Sequence, residues 1–191
     1  MNFDQVAHRI LIADSRWPLK LIAVDGCAGS GKSTFARNLV KALGNVPVLE
    51  IDDFISNEDL TGWWPRLEEQ VLSPLFQGKG IRYQVRDWAG DYHGNSLKDW
   101  KELPFSKLVL LEGIGSSRKA LASRLSYSVW VEAPQELRLQ RGLERDKAIP
   151  GAPEIWRKFQ EMEKRFFEAE QCRERAHLIV DGTGVSKGGN T

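Results

Sequence analysis

The sequence predicts a three-layer α/β/α fold: a parallel sheet with helices on both faces. Three observations carry that prediction. Short apolar runs alternate with segments of helical spacing along the chain, and strands alternating with helices imply a parallel sheet. The run Lys107-Leu108-Val109-Leu110-Leu111-Glu112-Gly113 is almost continuously apolar, as a strand covered on both faces must be. Finally, Gly26-Cys27-Ala28-Gly29-Ser30-Gly31-Lys32-Ser33 fits the pattern Gly, any four, Gly-Lys-Ser. It lies between a strand-like run and a helix-like run, the setting a phosphate-binding P-loop requires.

The elements follow in order. Phe3, Val6, Ile10 and Leu11 share a helical face, so the segment before the first strand reads as a helix packed on the domain. Asp4, Asp14 and the lack of a continuous apolar stretch argue against a signal peptide. Residues 20–25 read as the first strand. Phe35, Leu39, Val40 and Leu43 give the following helix its apolar spacing, and Gly44-Asn45 ends it. Residues 46–51 form a second strand that delivers Asp52 and Asp53 at its end. Pro65 suits the first turn of a helix over 65–72. Residues 81–88 read as a short extended segment and 87–104 as loop. A short helix is expected over 118–125 and a strand over 128–132. Pro134 opens a helix through about Asp146, which Ile149-Pro150-Gly151-Ala152-Pro153 breaks. A long helix over 154–175 places Ile155, Phe159, Met162, Phe166 and Ala169 on one face. Residues 178–181 form the last strand, and 186–191 look like a frayed tail. One domain spanning 1–191 is expected, with a lid at about 138–153 and a substrate-binding region at about 53–104.

Composition narrows the function. A chain of 191 residues, 41% apolar, can bury a core, and a net charge of +1 gives no electrostatic case for nucleic acid or an anionic membrane. No apolar run approaches a membrane span. The two cysteines, Cys27 and Cys172, are too few for a disulfide scaffold, and neither has metal-ligand spacing. The chain reads as cytoplasmic, with reduced thiols.

The motif carries the chemistry. Glycines let the backbone wrap a phosphate, its N–H groups pointing inward, and the helix N-terminus adds partial positive charge. Gly26, Ala28, Gly29, Ser30, Gly31, Lys32, Ser33 and Thr34 form the expected cradle. Lys32 would reach the β- and γ-phosphates, and the Ser33 hydroxyl would ligate Mg²⁺. Glu112 ends an apolar run, where an acid is costly without a cation or water. It reads as a magnesium-side acid, or else as a structural acid capping a turn. One of Asp52 and Asp53 would orient the acceptor hydroxyl and the other would cap a turn, since neighbouring side chains at a strand end point apart. Arg138, Arg141 and Arg145 share a helix face. They read as a lid over the transferring phosphoryl group, or as a solvated face paired with Glu136, Glu144 and Asp146. Trp63, Trp64, Tyr83, Trp88, Tyr92, His93 and Trp100 crowd the middle of the chain. They would stack on a planar substrate or simply pack an irregular loop.

Together these residues resemble the uridine kinase-like branch of the P-loop kinases, which includes uridine-cytidine kinases, phosphoribulokinase and bacterial pantothenate kinase. Four pieces carry the resemblance: Val24-Asp25-Gly26 through Thr34, Asp52-Asp53-Phe54, Leu110-Leu111-Glu112-Gly113-Ile114, and the segment from Arg138 to Asp146. The resemblance implies ATP and Mg²⁺, with Asp52 as the catalytic carboxylate and Ser33, Asp52 and Glu112 on the metal side. It implies Lys32, Arg141 and Arg145 in catalysis, with Arg138 and Arg141 at the nucleotide. Asp52, Asp53, Tyr83, Arg86, Asp87, Trp88 and His93 would meet the substrate. Ile55 stands where the family has Tyr. Arg86-Asp87-Trp88 replaces a Tyr-Asp-Phe segment, so Arg86 takes the place of a base-contacting tyrosine while Asp87 is retained. The implied activity is transfer of the ATP γ-phosphate to a hydroxyl of a small metabolite, a nucleoside first. A nucleoside-monophosphate kinase, with Arg66, Arg82 and Arg86 as extra cations, is one alternative. A nucleotide-binding switch is another, although no Asn-Lys-x-Asp element is present. The oligomeric state is not predicted.

Overall fold

The computed structural model describes residues 1–56, 59–91 and 96–184. Helix α1 (Phe3–Ile12) is capped by the Asn2 side chain, which accepts from the N–H groups of Asp4 and Gln5. It buries Val6, Ala7 and Ile10. Leu11, expected on that face, is 53% exposed. Lys20 Nζ donates to the carbonyls of Ile10, Leu11 and Ala13, which closes the helix C-terminus with a cation. Strand β1 (Lys20–Asp25) runs into the glycine-rich loop, and α2 (Lys32–Ala42) follows. Strand β2 (Val48–Glu50) is shorter than expected, because the chain tightens into a 3₁₀ turn at Ile51–Asp53.

Next, α3 (Trp64–Leu67), a π-helical stretch (Glu68–Leu72) and α4 (Ser73–Phe76) make one continuous rod. Strands β3 (Ile81–Arg86) and β4 (Leu97–Leu103) form an antiparallel hairpin that pairs Ile81 with Leu103 and Tyr83 with Lys101. The expected loop over 87–104 is thus half strand. Strand β4 is exposed at nearly every position, so it lacks the apolar alternation that marks a half-buried strand. Strand β5 is Leu108–Glu112. The helix expected over 118–125 reduces to a 3₁₀ turn at Lys119–Leu121, and β6 (Leu125–Glu132) begins earlier than expected. Helices α5 (Gln135–Arg145) and α6 (Ala152–Glu170) lead to β7 (Leu178–Asp181). Gln171, in the left-handed region, stops α6 short of residue 175.

The main sheet is five-stranded and parallel, in the order β2-β5-β1-β6-β7. Alternate residues of β1 serve opposite cores: Leu21 packs towards α6 and the α3–α4 rod, Ile22 and Val24 towards α1 and α2. That two-faced burial makes the three layers. Strand β1 is central, so its loop emerges at the middle of the carboxyl edge. The ends of β5 and β2 lie to one side, and those of β6 and β7 to the other.

Candidate active site

The loop after β1 is held from below by Asp25. This fully buried carboxylate accepts from the N–H groups of Gly26, Gly115 and Ser117 and from the Ser117 hydroxyl. Burial nonetheless pushes its pKa up. Gly31 precedes α2 at φ 97°, a left-handed conformation that a side chain would strain, and no side chain caps the helix start. The first-turn N–H groups of α2 are therefore left for a ligand. Ser30 Oγ is buried without a hydrogen-bond partner among the described residues. Gly29, Gly31, Lys32, Ser33 and Thr34 line a cavity of about 210 Å³, closed from the far side by Arg141, Gly142 and Arg145. Such a cradle suits a polyphosphate.

Ser33 Oγ donates to Glu112 Oε1 at 3.1 Å. Burial, then the carboxylates of Asp52 and Glu50, pushes the Glu112 pKa up to about 7, against the pull of Lys32 and Ser33. Among the described residues no group of three or more His, Cys, Asp or Glu side chains could hold a metal alone. Magnesium takes one or two carboxylates and fills the rest of its shell with water and phosphate oxygens. Ser33, Glu112 and Asp52 fit that need. The raised pKa also has a consequence for stability. Unfolded, Glu112 ionises near 4.5; folded, near 7. Its burial therefore costs nothing below pH 4.5, an increasing amount as the pH rises to 7, and the full amount above, at most about 3 kcal/mol. Without divalent cations, Glu112→Gln is expected to melt higher than the wild type at pH 8 and at the same temperature near pH 4.5. Parallel melting profiles across that range would disprove the shift.

A second cavity, of about 410 Å³, adjoins the first. Glu50, Asp52 and Asp53 line one part, while Trp88, Trp156 and Phe159 form an apolar part with Ile55, Ile114 and Ile155. Lys32, Asp52 and Arg145 line both cavities. The two aspartates differ as expected of neighbours. Asp52 is exposed at the junction. Asp53 is buried, accepting from Tyr83 Oη at 3.2 Å and Lys101 Nζ at 2.8 Å, while its carbonyl accepts from Arg66. Asp53 ties the β3–β4 hairpin to the end of β2.

The substrate-side residues divide. Trp88 reaches the larger cavity and donates its indole N–H to the Asp52 carbonyl at 2.8 Å. Tyr83 does not: it is 1% exposed and stacks on Phe54, so it belongs to the core. Arg86 is buried, donates to the Asp91 carbonyl and lies over the Trp88 ring at 3.7 Å. Asp87 stays outside the cavity, where it accepts from the Gly90 N–H and faces Lys98. His93 and Tyr92, like the tail 186–191, lie outside the described residues.

The three arginines also divide. Arg138 Nη1 bonds Glu163 at 2.8 Å behind the loop and is not among the residues lining the cradle. Arg141 reaches the carbonyls of Gly29, Gly182 and Thr183 at 3.1–3.2 Å. Arg145 sits at the junction, bonded to Asp146. Ala28 lines the larger cavity, but its N–H is directed to Glu163 Oε1 at 2.5 Å and not into the phosphate cradle. The thiol of Cys27, pushed up to about 12 by burial and Glu163, stays protonated.

Sequence reasoning missed four contributors. Glu163, on α6, anchors both Arg138 and the loop. Glu50 lines the larger cavity beside Asp52; its place in Glu50-Ile51-Asp52-Asp53 was a signal. Trp156 forms a wall and donates to Asp146 at 2.8 Å. Gly142 makes room for it, since a Cβ there would meet the indole at 2.1 Å. Nothing local marks Asp146 or Trp156, because their meeting depends on the turn between α5 and α6.

Loop, cradle and sheet order define a P-loop nucleotide-binding α/β protein. A family model described as an AAA domain matches residues 22–173. The chain belongs to that P-loop family. No curated protein sequence matches it. Among solved structures it is similar to a possible uridine kinase from Bacillus stearothermophilus, at 21% identity and TM-score 0.65, covering 94% of this chain and 97% of that one. It is also similar to a proposed fructose transport system kinase from Silicibacter sp., at 22% identity and TM-score 0.70, covering 94% and 99%. A third is the phosphoribulokinase from Rhodobacter spheroides, at 15% identity and TM-score 0.53, covering 88% and 74%. The chain thus has the P-loop kinase-like fold its sequence implies. No helix among the described residues is long and apolar enough to cross a membrane.

Proposed function

We propose that this protein is an ATP-dependent phosphotransferase acting on a hydroxyl of a small metabolite, a nucleoside first. One observation carries the reading: two adjoining cavities share Lys32, Asp52 and Arg145. A cradle alone would suit any nucleotide switch. A second cavity of about 410 Å³, within the size range of small-molecule sites, gives an acceptor somewhere to bind. The cradle and Lys32 would hold the phosphates, and Asp52 would orient and deprotonate the acceptor hydroxyl. Magnesium held at Ser33 and Glu112 would supply neutralisation of phosphate charge. Catalysis would rest on orientation and electrostatics, as phosphoryl transfer permits. Support for the monophosphate kinase alternative is weaker: Arg66, Arg82 and Arg86 do not line the cavity, and Arg66 is spent on the carbonyls of Asp53 and Gln84.

ATP consumption measured against nucleosides, nucleoside monophosphates, pantothenate and sugars tests the reading. Phosphate release without any acceptor, raised by a protein partner, would favour the switch.

The arginines give a further expectation. Arg145→Ala should lower kcat by about 10²-fold while the Kd for ATP stays within a few-fold, because it lies where charge redistributes in the transition state. Arg141→Ala should slow turnover in the same manner. Arg138→Ala should act on stability instead, costing about 3 kcal/mol by leaving the buried Glu163 carboxylate without its cation, with only the Ala28 N–H still donating to it. Single-turnover kinetics beside ATP titration and thermal melts separate the three. Wild-type rates in all of them would make these arginines surface charge.

A further inference from the structure

We infer that Glu50 is a specificity-determining residue, and that it selects an acceptor carrying no negative charge. The inference rests on the phosphotransferase reading and deepens it. Glu50 is the last residue of β2 and stands in register with Glu112 on β5. Like charges opposite one another weaken a sheet, so this pairing lacks a structural benefit. Unlike Asp53, which Lys101 and Tyr83 satisfy, Glu50 remains exposed and lines the acceptor cavity beside Asp52.

The nearby cations have other partners. Arg145 is bonded to Asp146 at 2.8 and 3.0 Å, Lys101 to Asp53, and Arg66 to backbone carbonyls. Lys32 belongs to the phosphate cradle as well. A phosphate or carboxylate on the acceptor would meet Glu50 and Asp52, while the cations that line this cavity among the described residues, Lys32 and Arg145, also line the phosphate cradle, and like-charge juxtaposition is a strong means of rejection. Against the aromatic surface of Trp88, Trp156 and Phe159, the acceptor is a neutral or amine-bearing hydroxyl compound with an apolar or ring face. Its polar hydrogens would meet Glu50.

The test uses matched pairs that differ by one phosphate: uridine with uridine 5′-phosphate, cytidine with cytidine 5′-phosphate, ribose with ribose 5-phosphate. ADP formation with MgATP gives kcat/KM for each, and ATP binding is followed separately by thermal shift. The wild type should prefer the unphosphorylated member of the pairs it uses by at least ~10²-fold. Glu50→Gln should fold normally and bind ATP as before. It should lower kcat/KM for the neutral member and narrow the preference by about tenfold or more. Preference for the phosphorylated member, or a ratio unchanged in Glu50→Gln, overturns the inference and leaves the kinase reading standing. ATP binding without turnover of any member, or of the wider acceptor panel, overturns both.

Discussion

Lys32→Ala is expected to abolish measurable phosphoryl transfer while leaving the protein folded. Lys32 lines the loop cradle and also the larger cavity. It stands at the N-terminus of α2, where the backbone already favours anions. In the proposed reaction, an ammonium there would meet the charge that grows on the β- and γ-phosphates as the bond breaks. Removing a preorganised donor of this kind costs roughly 10²–10³-fold in kcat, and the loss of a full positive charge should meet or exceed that. The fold should tolerate the change, because Lys32 is only half-buried and the helix it begins is held by Phe35, Ala36 and Leu39. Circular dichroism and melting temperature report the fold, and single-turnover ADP formation reports the chemistry. Normal turnover in a folded Lys32→Ala protein would end the kinase reading.

The second large effect separates Asp52 from Asp53. Asp52→Asn should lower kcat by at least ~10²-fold with little change in melting temperature. Residue Asp52 is exposed and lines both cavities, in contrast to the buried, ion-paired Asp53. Asp53→Asn should do the reverse. It weakens the bonds to Lys101 and Tyr83 that tie the hairpin to the end of β2, costing roughly 1–3 kcal/mol and a smaller part of the rate. Kinetics and melts on both variants decide the matter. A larger kcat loss in Asp53→Asn would mean that the roles of the two are exchanged.

Much of the carboxyl edge of the sheet was legible in the residues. The loop at 26–33, the apolar run ending in Glu112 and the strand delivering Asp52 were all read in place, and the order β2-β5-β1 brings those ends together. What failed were elements whose signal is not apolar period. Strand β4 is mostly charged and exposed, so only pairing with β3 reveals it. The short helix expected after β5 was lost to a longer β6, since residues 125–127 suit a strand once β1 lies alongside.

The sequence by itself determined the loop, its flanking strand and helix, and the parallel three-layer plan. Those depend on local matters: where glycine is tolerated, how long an apolar run is, and with what period it repeats. The tertiary structure decided which partner each charged group meets. Spacing put Arg138, Arg141 and Arg145 on one face, yet only the packing of α6 gave Arg138 to Glu163 and left Arg145 at the junction. The family resemblance favoured Asp52 over its neighbour, but only the fold shows that Lys101 and Tyr83, distant in the chain, bind Asp53. A charged side chain's role follows from its partner, and for these residues the partners come from elements far apart in sequence.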